Sequence, residues 1–245
     1  MKIHCEWRLA LSSFMYTWGG ILLGRGSDRA VVIVLTKYHA KTAYQHEFLE
    51  GLSAYVFSSL EATGNIMSEA FYEKGDFCIM WVMERWGNYD FYKKNRRSSE
   101  AGVVRHLAKT GLITAVETVF LKDLLLFSLA RSRNPLKEND RQITVMLFIE
   151  VKSGAKNYFR SIKQAIISVF RDKPGMLHFQ LSRVRCFRRR FIVCKKFRDW
   201  DAFQYHLKDP ALQPVITFLQ SAVKEPPYEK GYHHLIQFAP LYGSF

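Results

Sequence analysis

Acidic residues are in short supply: 22 Asp and Glu stand against 36 Lys and Arg, giving a formal net charge of +14. That surplus suits an anionic partner, whether nucleic acid, a membrane surface or a charged small molecule. A soluble protein with a basic surface has the same composition. Cysteine is scarce too. Cys5, Cys78, Cys186 and Cys194 form no CxxC pair and show no zinc spacing. They read as free thiols of a reducing compartment, and a cytoplasmic location is the expectation. No run reaches the roughly eighteen apolar residues of a membrane span. There is no GxGxxG, no GKS or GKT phosphate loop and no GxSxG elbow, and Gly19-Gly20 with Gly24 and Gly26 has the wrong spacing. Dinucleotide enzymes, P-loop NTPases and esterases of that type are therefore disfavoured.

Aromatic side chains, in contrast, are plentiful at 15%, with 19 Phe and 12 Tyr. Such residues bury large areas and suit the walls of a site for a flat ligand. The stretch Leu9–Leu23 is mostly apolar and follows Lys2 and Arg8, but no small-x-small cleavage site comes after it. Gly24-Arg25-Gly26-Ser27-Asp28 reads as a flexible joint, so residues 1–28 are expected to be an N-terminal extension.

Sliding the sequence along itself by 111 positions gives a match without gaps, from Val32 to Phe127. It sets Val34 on Val145, Phe48 on Phe159, Gly64 on Gly175, Val82 on Val193, Asp90 on Asp201, Leu124 on Leu235 and Phe127 on Phe238. Each copy reads in one order. Ala30–Tyr38 and Gln142–Val151 are apolar, β-branched strands. A helix follows in each. Thr42 with Gln45 reads as a capping box and Ser153 as the second N-cap. Gly64 and Pro174-Gly175 end these helices. Two strands follow, Ile66–Glu73 with Phe77–Trp86 and Met176–Arg185 with Arg188–Phe197. A second helical region is interrupted at Ser98-Ser99 and at Asp209-Pro210, where proline disfavours helix before it. Last strands fall near Thr114–Phe127 and Tyr228–Ala239.

Strand–helix–strand–strand–helix–strand is the ferredoxin-like order, an α+β class. The central strands are apolar on both faces: Phe77, Ile79, Trp81 and Met83 on one, Cys78, Met80, Val82 and Trp86 on the other. Helices cover one face only, so the other copy must cover the second. The expectation is two βαββαβ units packed sheet to sheet as an intrachain pseudo-dimer. Residues 29–127 form the first domain, 128–141 a polar linker with Asn134-Pro135, and 142–245 the second domain. The chain is then monomeric as a pseudo-dimer, with further association left open.

The second copy carries Val151-Lys152-Ser153-Gly154, Phe159, Pro174-Gly175-Met176-Leu177, Phe179-Gln180-Leu181, Arg183, Asp201-Ala202-Phe203, His206-Leu207-Lys208-Asp209-Pro210 and Glu225-Pro226-Pro227. In the first copy, Glu84-Arg85-Trp86 ends the third strand. This set resembles the antibiotic biosynthesis monooxygenase (ABM) family, whose subunits form dimeric α+β barrels. The resemblance implies a reaction of flat phenols or quinols with molecular oxygen, without flavin, haem or metal. A deprotonated phenolate hands an electron to oxygen, and the protein supplies an aromatic cavity, a proton acceptor and exclusion of water. Many relatives bind without catalysing, so a non-catalytic binding or interaction protein is the alternative.

On this resemblance His206 is the candidate general base, an imidazole titrating near neutrality. Asn95 holds the matching place in the first copy and cannot serve as a base. Trp86, Phe159, Phe179, Phe197 and Phe203 are the candidate walls for a small aromatic molecule. The haem-degrading branch uses an asparagine, a tryptophan and a histidine where this chain has Tyr38, Asn95 and Arg105, then Ile149, His206 and Ile216. No haem or other cofactor is therefore expected. Nor is a metal, because His233 and His234 are adjacent on a strand and face opposite ways. Eight basic residues and no acid lie between Arg183 and Arg198. That hairpin reads either as a site for an anionic ligand, phospholipid or nucleic acid, or as a solvated turn.

Overall fold

The computed structural model describes residues 30–124, 142–155, 157–162, 173–225 and 227–241. The expected N-terminal extension and linker lie outside the described residues. The first copy runs β1 (Val32–His39), α1 (Gln45–Glu61), β2 (Asn65–Glu73), β3 (Asp76–Trp86), α2 (Tyr89–Asn95), α3 (Ser99–Thr110) and β4 (Glu117–Asp123). The second runs β5 (Ile143–Glu150), a helical segment at 157–162, β6 (Met176–Val184), β7 (Arg190–Phe197), α4 (Trp200–Leu207), α5 (Gln213–Ala222) and β8 (Tyr232–Ala239). No described helix is long and apolar enough to cross a membrane.

Local chemistry repeats at the same spacing. The side chain of Asn88 accepts from Phe91 N at the start of α2, and Asp199 accepts from Ala202 N at the start of α4. Ser98 caps α3 and Asp209 caps the 3-10 turn Pro210–Leu212, at the two predicted interruptions. Gly64 and Gly175 have φ of 80° and 74°. A Cβ on Gly64 would meet Phe91 at 2.1 Å, and one on Gly175 would meet Ala202 at 2.4 Å. Both positions therefore require glycine, for conformation and for space. The expected capping box does not form. Thr42–Tyr44 is a 3-10 turn, and α1 starts at Gln45 with Tyr44 as an N-cap that makes no side-chain bond. The tighter turn moves Thr42 away from the capping position.

The strands close into one antiparallel barrel in the order β1-β3-β2-β8-β5-β7-β6-β4. The two four-stranded sheets face each other as expected, and they are also joined at both edges, β2 to β8 and β4 to β6. The gapless match holds only as far as the last strand. Ile33 pairs with Leu121 and Thr144 with Leu235, so β8 is offset from β4 by 114. The bridges Ala40–Leu112 and Val151–Val223 still keep the shift of 111. Three residues are thus inserted between Val223 and Tyr232, and Leu235 corresponds to Leu121 rather than Leu124.

Alternation assigns each strand an inner and an outer face. Ile33, Leu35, Ile79, Trp81, Met83, Leu121, Met146, Phe148, Ile192 and Cys194 fill the barrel, as eight-stranded interiors are filled. Charged groups enter this core in pairs. Lys196 Nζ donates to Glu69 and to Gln237 Oε1, Arg85 donates to Asp123, and Ser182 Oγ donates to Asp123 Oδ1. His233 is 1% exposed inside, 2.9 Å from Glu73, while His234 stacks on Trp200 outside, as their adjacency predicts. The outer faces lie under the helices. Phe48, Leu52 and Val56 of α1 pack on Met80 and Val82, and Phe218 and Ile162 pack with Phe191 and Val193.

Candidate active site between helices and sheet

In the first domain the expected wall residue Trp86 and the expected polar residue Asn95 share one buried network. Trp86 is 0% exposed, and its Nε1 donates to Glu84 Oε1 at 3.2 Å. The same Glu84 oxygen accepts from Tyr55 OH at 2.8 Å. Asn95 Nδ2 donates to Tyr55 OH at 3.2 Å and to Ser59 Oγ at 2.8 Å. The alternation of β3 places Glu84 and Trp86 on its helix-facing side, and the last turn of α2 brings Asn95 down onto α1. Burial raises the Glu84 carboxyl above its ordinary range, an effect opposed by the Tyr55 and Trp86 hydrogen bonds. Burial also raises the phenols of Tyr55 and Tyr92, and pushes Tyr38 up to about 12. Glu84, Tyr55, Trp86, Asn95 and Ser59 are thus joined in one chain of hydrogen bonds.

In the second domain, His206, Phe197 and Phe203 come together. The Phe197 ring lies 5.0 Å from the His206 ring and 5.3 Å from Phe203. Asp199 caps α4, and this fixes the turn that carries Phe203 and His206 inward. Phe159 and Phe179 join the neighbouring cluster instead. Phe159 is 4.1 Å from Phe191 and 5.8 Å from Phe218, and Phe179 packs on that group. His206 is 3% exposed. Burial, and after it the Lys195 ammonium, lower its pKa to about 3, so the ring is neutral at pH 7.

Lys195 was hidden in the basic run. It lies 3.1 Å from His206 Nε2, and burial of its ammonium lowers its pKa to about 8. By the repeat, Lys195 stands where Glu84 stands, His206 where Asn95 stands, and Phe197 where Trp86 stands. The signal available in the sequence was alternation. Phe191, Val193, Lys195 and Phe197 share a strand face, and a single lysine among apolar residues on a covered face marks a buried charge. The rest of the run disperses. Lys196 points into the barrel, Arg190 lies at its mouth beside Glu150, and Arg185 donates to the carbonyls of Leu121 and Val31. A neutral histidine against an aromatic ring, next to a lysine of lowered pKa, can hold and relay one proton.

Residues 142–216 match the model of the family described as Antibiotic biosynthesis monooxygenase. No curated protein matches the sequence significantly. Among solved structures, a proposed monooxygenase from Fusobacterium nucleatum superposes with a TM-score of 0.70 at 14% identity, covering 84% of this chain and 92% of that one. A proposed monooxygenase from Lactobacillus acidophilus gives 0.66 at 12% identity, covering 84% and 93%. An anthrone oxidase-like protein gives 0.59 at 11% identity, covering 85% and 91%. These likenesses concern the fold, and they extend over both halves of the chain. Residues 142–216, within the second half, thus match the antibiotic biosynthesis monooxygenase family, and the first half repeats the fold of the second in tandem.

Proposed function

We propose that this protein oxidises a flat phenol or quinol with molecular oxygen, without a bound cofactor, and that the second domain carries the reaction. The observation behind this reading is the Lys195–His206 pair set against Phe197 and Phe203. A phenol of pKa near 10 must lose its proton before it can give an electron to oxygen. His206 alone, with a pKa of about 3, is too weak a base, whereas the Lys195 amine, with a pKa of about 8, is competent. Lys195 takes the phenolic proton, and the resulting ammonium stabilises the phenolate. Neutral His206 orients Lys195 by accepting from its Nζ. The first domain, whose matching groups are hydrogen-bonded to one another, completes the barrel.

Oxygen uptake with an anthrone as substrate tests this. The full chain should consume oxygen in proportion to its concentration, and Lys195→Met and His206→Ala should each lower turnover by about 10²–10⁴-fold. Uptake no faster than the uncatalysed rate, or both variants retaining full activity, would remove the proposal. A second reading, a non-catalytic small-molecule binder on the same fold, is favoured by the burial of Phe197 and His206, which are 0% and 3% exposed.

A further inference from the structure

One end of the barrel is not filled. A cavity of about 290 Å³ is lined by Leu35, Trp81, Val119, Phe148 and Tyr228, with Lys37, Arg190, Glu117 and Glu229 at its rim. Its size sits at the lower bound of small-molecule sites, roughly 300 Å³, and suits one or two fused rings. Trp81 and Phe148 are 5.7 Å apart, and Phe148 and Tyr228 5.4 Å, so three aromatic rings form continuous walls. Trp81 Nε1 donates to Glu73 at 3.1 Å, and the Lys37 ammonium lies over the indole ring, 5.2 Å from its centroid, which favours an electron-rich ring beside it.

The rim is polarised. Arg190 Nε donates to Glu150 at 2.7 Å, and its guanidinium lies over the rings of Tyr228 and Phe187. These contacts fix its plane. Its Nη donors have no partner among the described residues. Glu150 also accepts from Lys224 at 2.8 Å, so two cations share one carboxylate on this side. Across the cavity Lys37 is neutralised by Glu229 at 2.6 Å and, more loosely, by Glu117 at 3.9 Å. Those carboxylates repel an anion, so a negative group belongs at Arg190 and the rings belong against Trp81. The cavity is not a symmetric remnant of the duplication either. Phe148 stands at the place of Lys37, and Arg190 at the place of Ile79.

We propose that the barrel mouth binds a small aromatic anion, a mono- or bicyclic carboxylate or phenolate, through the Nη edge of Arg190 and the faces of Trp81, Phe148 and Tyr228. This site is separate from the Lys195–His206 pair and does not depend on catalysis there. It accounts for the inward-facing end of the basic hairpin.

Titration calorimetry of the full chain with 2-naphthoate tests it, with neutral 2-naphthylmethanol as comparison. One saturable site per chain is expected. Arg190→Gln should weaken naphthoate by about 10–100-fold, as the loss of a charged hydrogen bond implies, and the alcohol by less than about threefold. Glu150 keeps Lys224 in that variant. Arg188→Gln, an exposed charge on the adjacent turn, should change neither ligand. Val119→Phe should weaken both by filling the cavity, with urea unfolding to verify the fold. Absence of saturable naphthoate binding would overturn the proposal. So would equal losses of both ligands in Arg190→Gln, or a loss in Lys195→Met as large as that in Arg190→Gln.

Discussion

Lys195 Nζ lies 3.1 Å from His206 Nε2, at the two positions that Glu84 and Asn95 occupy in the first domain. One framework thus holds a buried carboxyl group in one half and a buried amine in the other. In the first half the carboxylate is tied down by Tyr55 and Trp86, and in the second the ammonium faces a neutral imidazole. Their titration behaviour should differ accordingly.

Lys195→Met should raise the pKa of His206 from about 3, because the ammonium is the second cause of its depression after burial. The value should remain below 6.5, since burial persists. Ring-nitrogen NMR across about pH 2.5–7 reads this directly. An unchanged midpoint would mean that Lys195 does not act on His206.

If the Lys195 amine accepts the phenolic proton, kcat/KM should rise with pH through about 8, the value to which burial lowers it. The sign follows from the neutral form being the acceptor, so activity is lost as pH falls and the amine protonates. In Lys195→Met that step should vanish, leaving only the ionisation of the substrate's own phenol near pH 10. A profile flat from pH 6 to about 9 in the parent protein would speak against Lys195 as the base.

Asn95→Ala should leave turnover nearly intact and lower stability by about 1–3 kcal/mol, because it strands buried partners on Tyr55 and Ser59. Urea unfolding monitored by circular dichroism measures the loss. Full stability would show that the network carries no net energy.

Lys196→Met should destabilise the barrel by about 3–5 kcal/mol, because Glu69, 5% exposed, is left as an uncompensated interior charge. Glu69→Leu combined with Lys196→Met should recover most of that loss. A double variant no more stable than Lys196→Met alone would contradict the pairing.

Features written in local chemistry were legible in the sequence. The interruptions at Ser98 and Asp209 and the helix-ending Gly64 and Gly175 need only their neighbours to act, so the repeat and the βαββαβ order could be read directly, although the capping box expected at Thr42 did not form. The edge pairings β2–β8 and β4–β6 join strands far apart in the chain and follow only from the twist and curvature of both sheets. The three-residue insertion before Tyr232 was invisible to a gapless match, because apolar alternation tolerates a short stretch of false register. Lys195 was missed for a related reason. In a run of eight basic residues, only the strand's parity tells an inward side chain from an outward one. The structure brings His206, Phe197 and Phe203 together and sets Phe159 and Phe179 in the adjoining cluster, because the positions of helices across a sheet are not fixed by spacing alone.

The ion pair between Lys196 and Glu69 spans the two halves, and its meaning changes if the halves are considered as former equals. Gln180 holds in the second half the place that Glu69 holds in the first. A symmetric association of two second halves would set Lys196 against an amide and enclose two ammonium groups with no carboxylate opposite them. The second half thus finds in the first a chemically distinct complement, which the covalent join supplies at a fixed ratio of one to one.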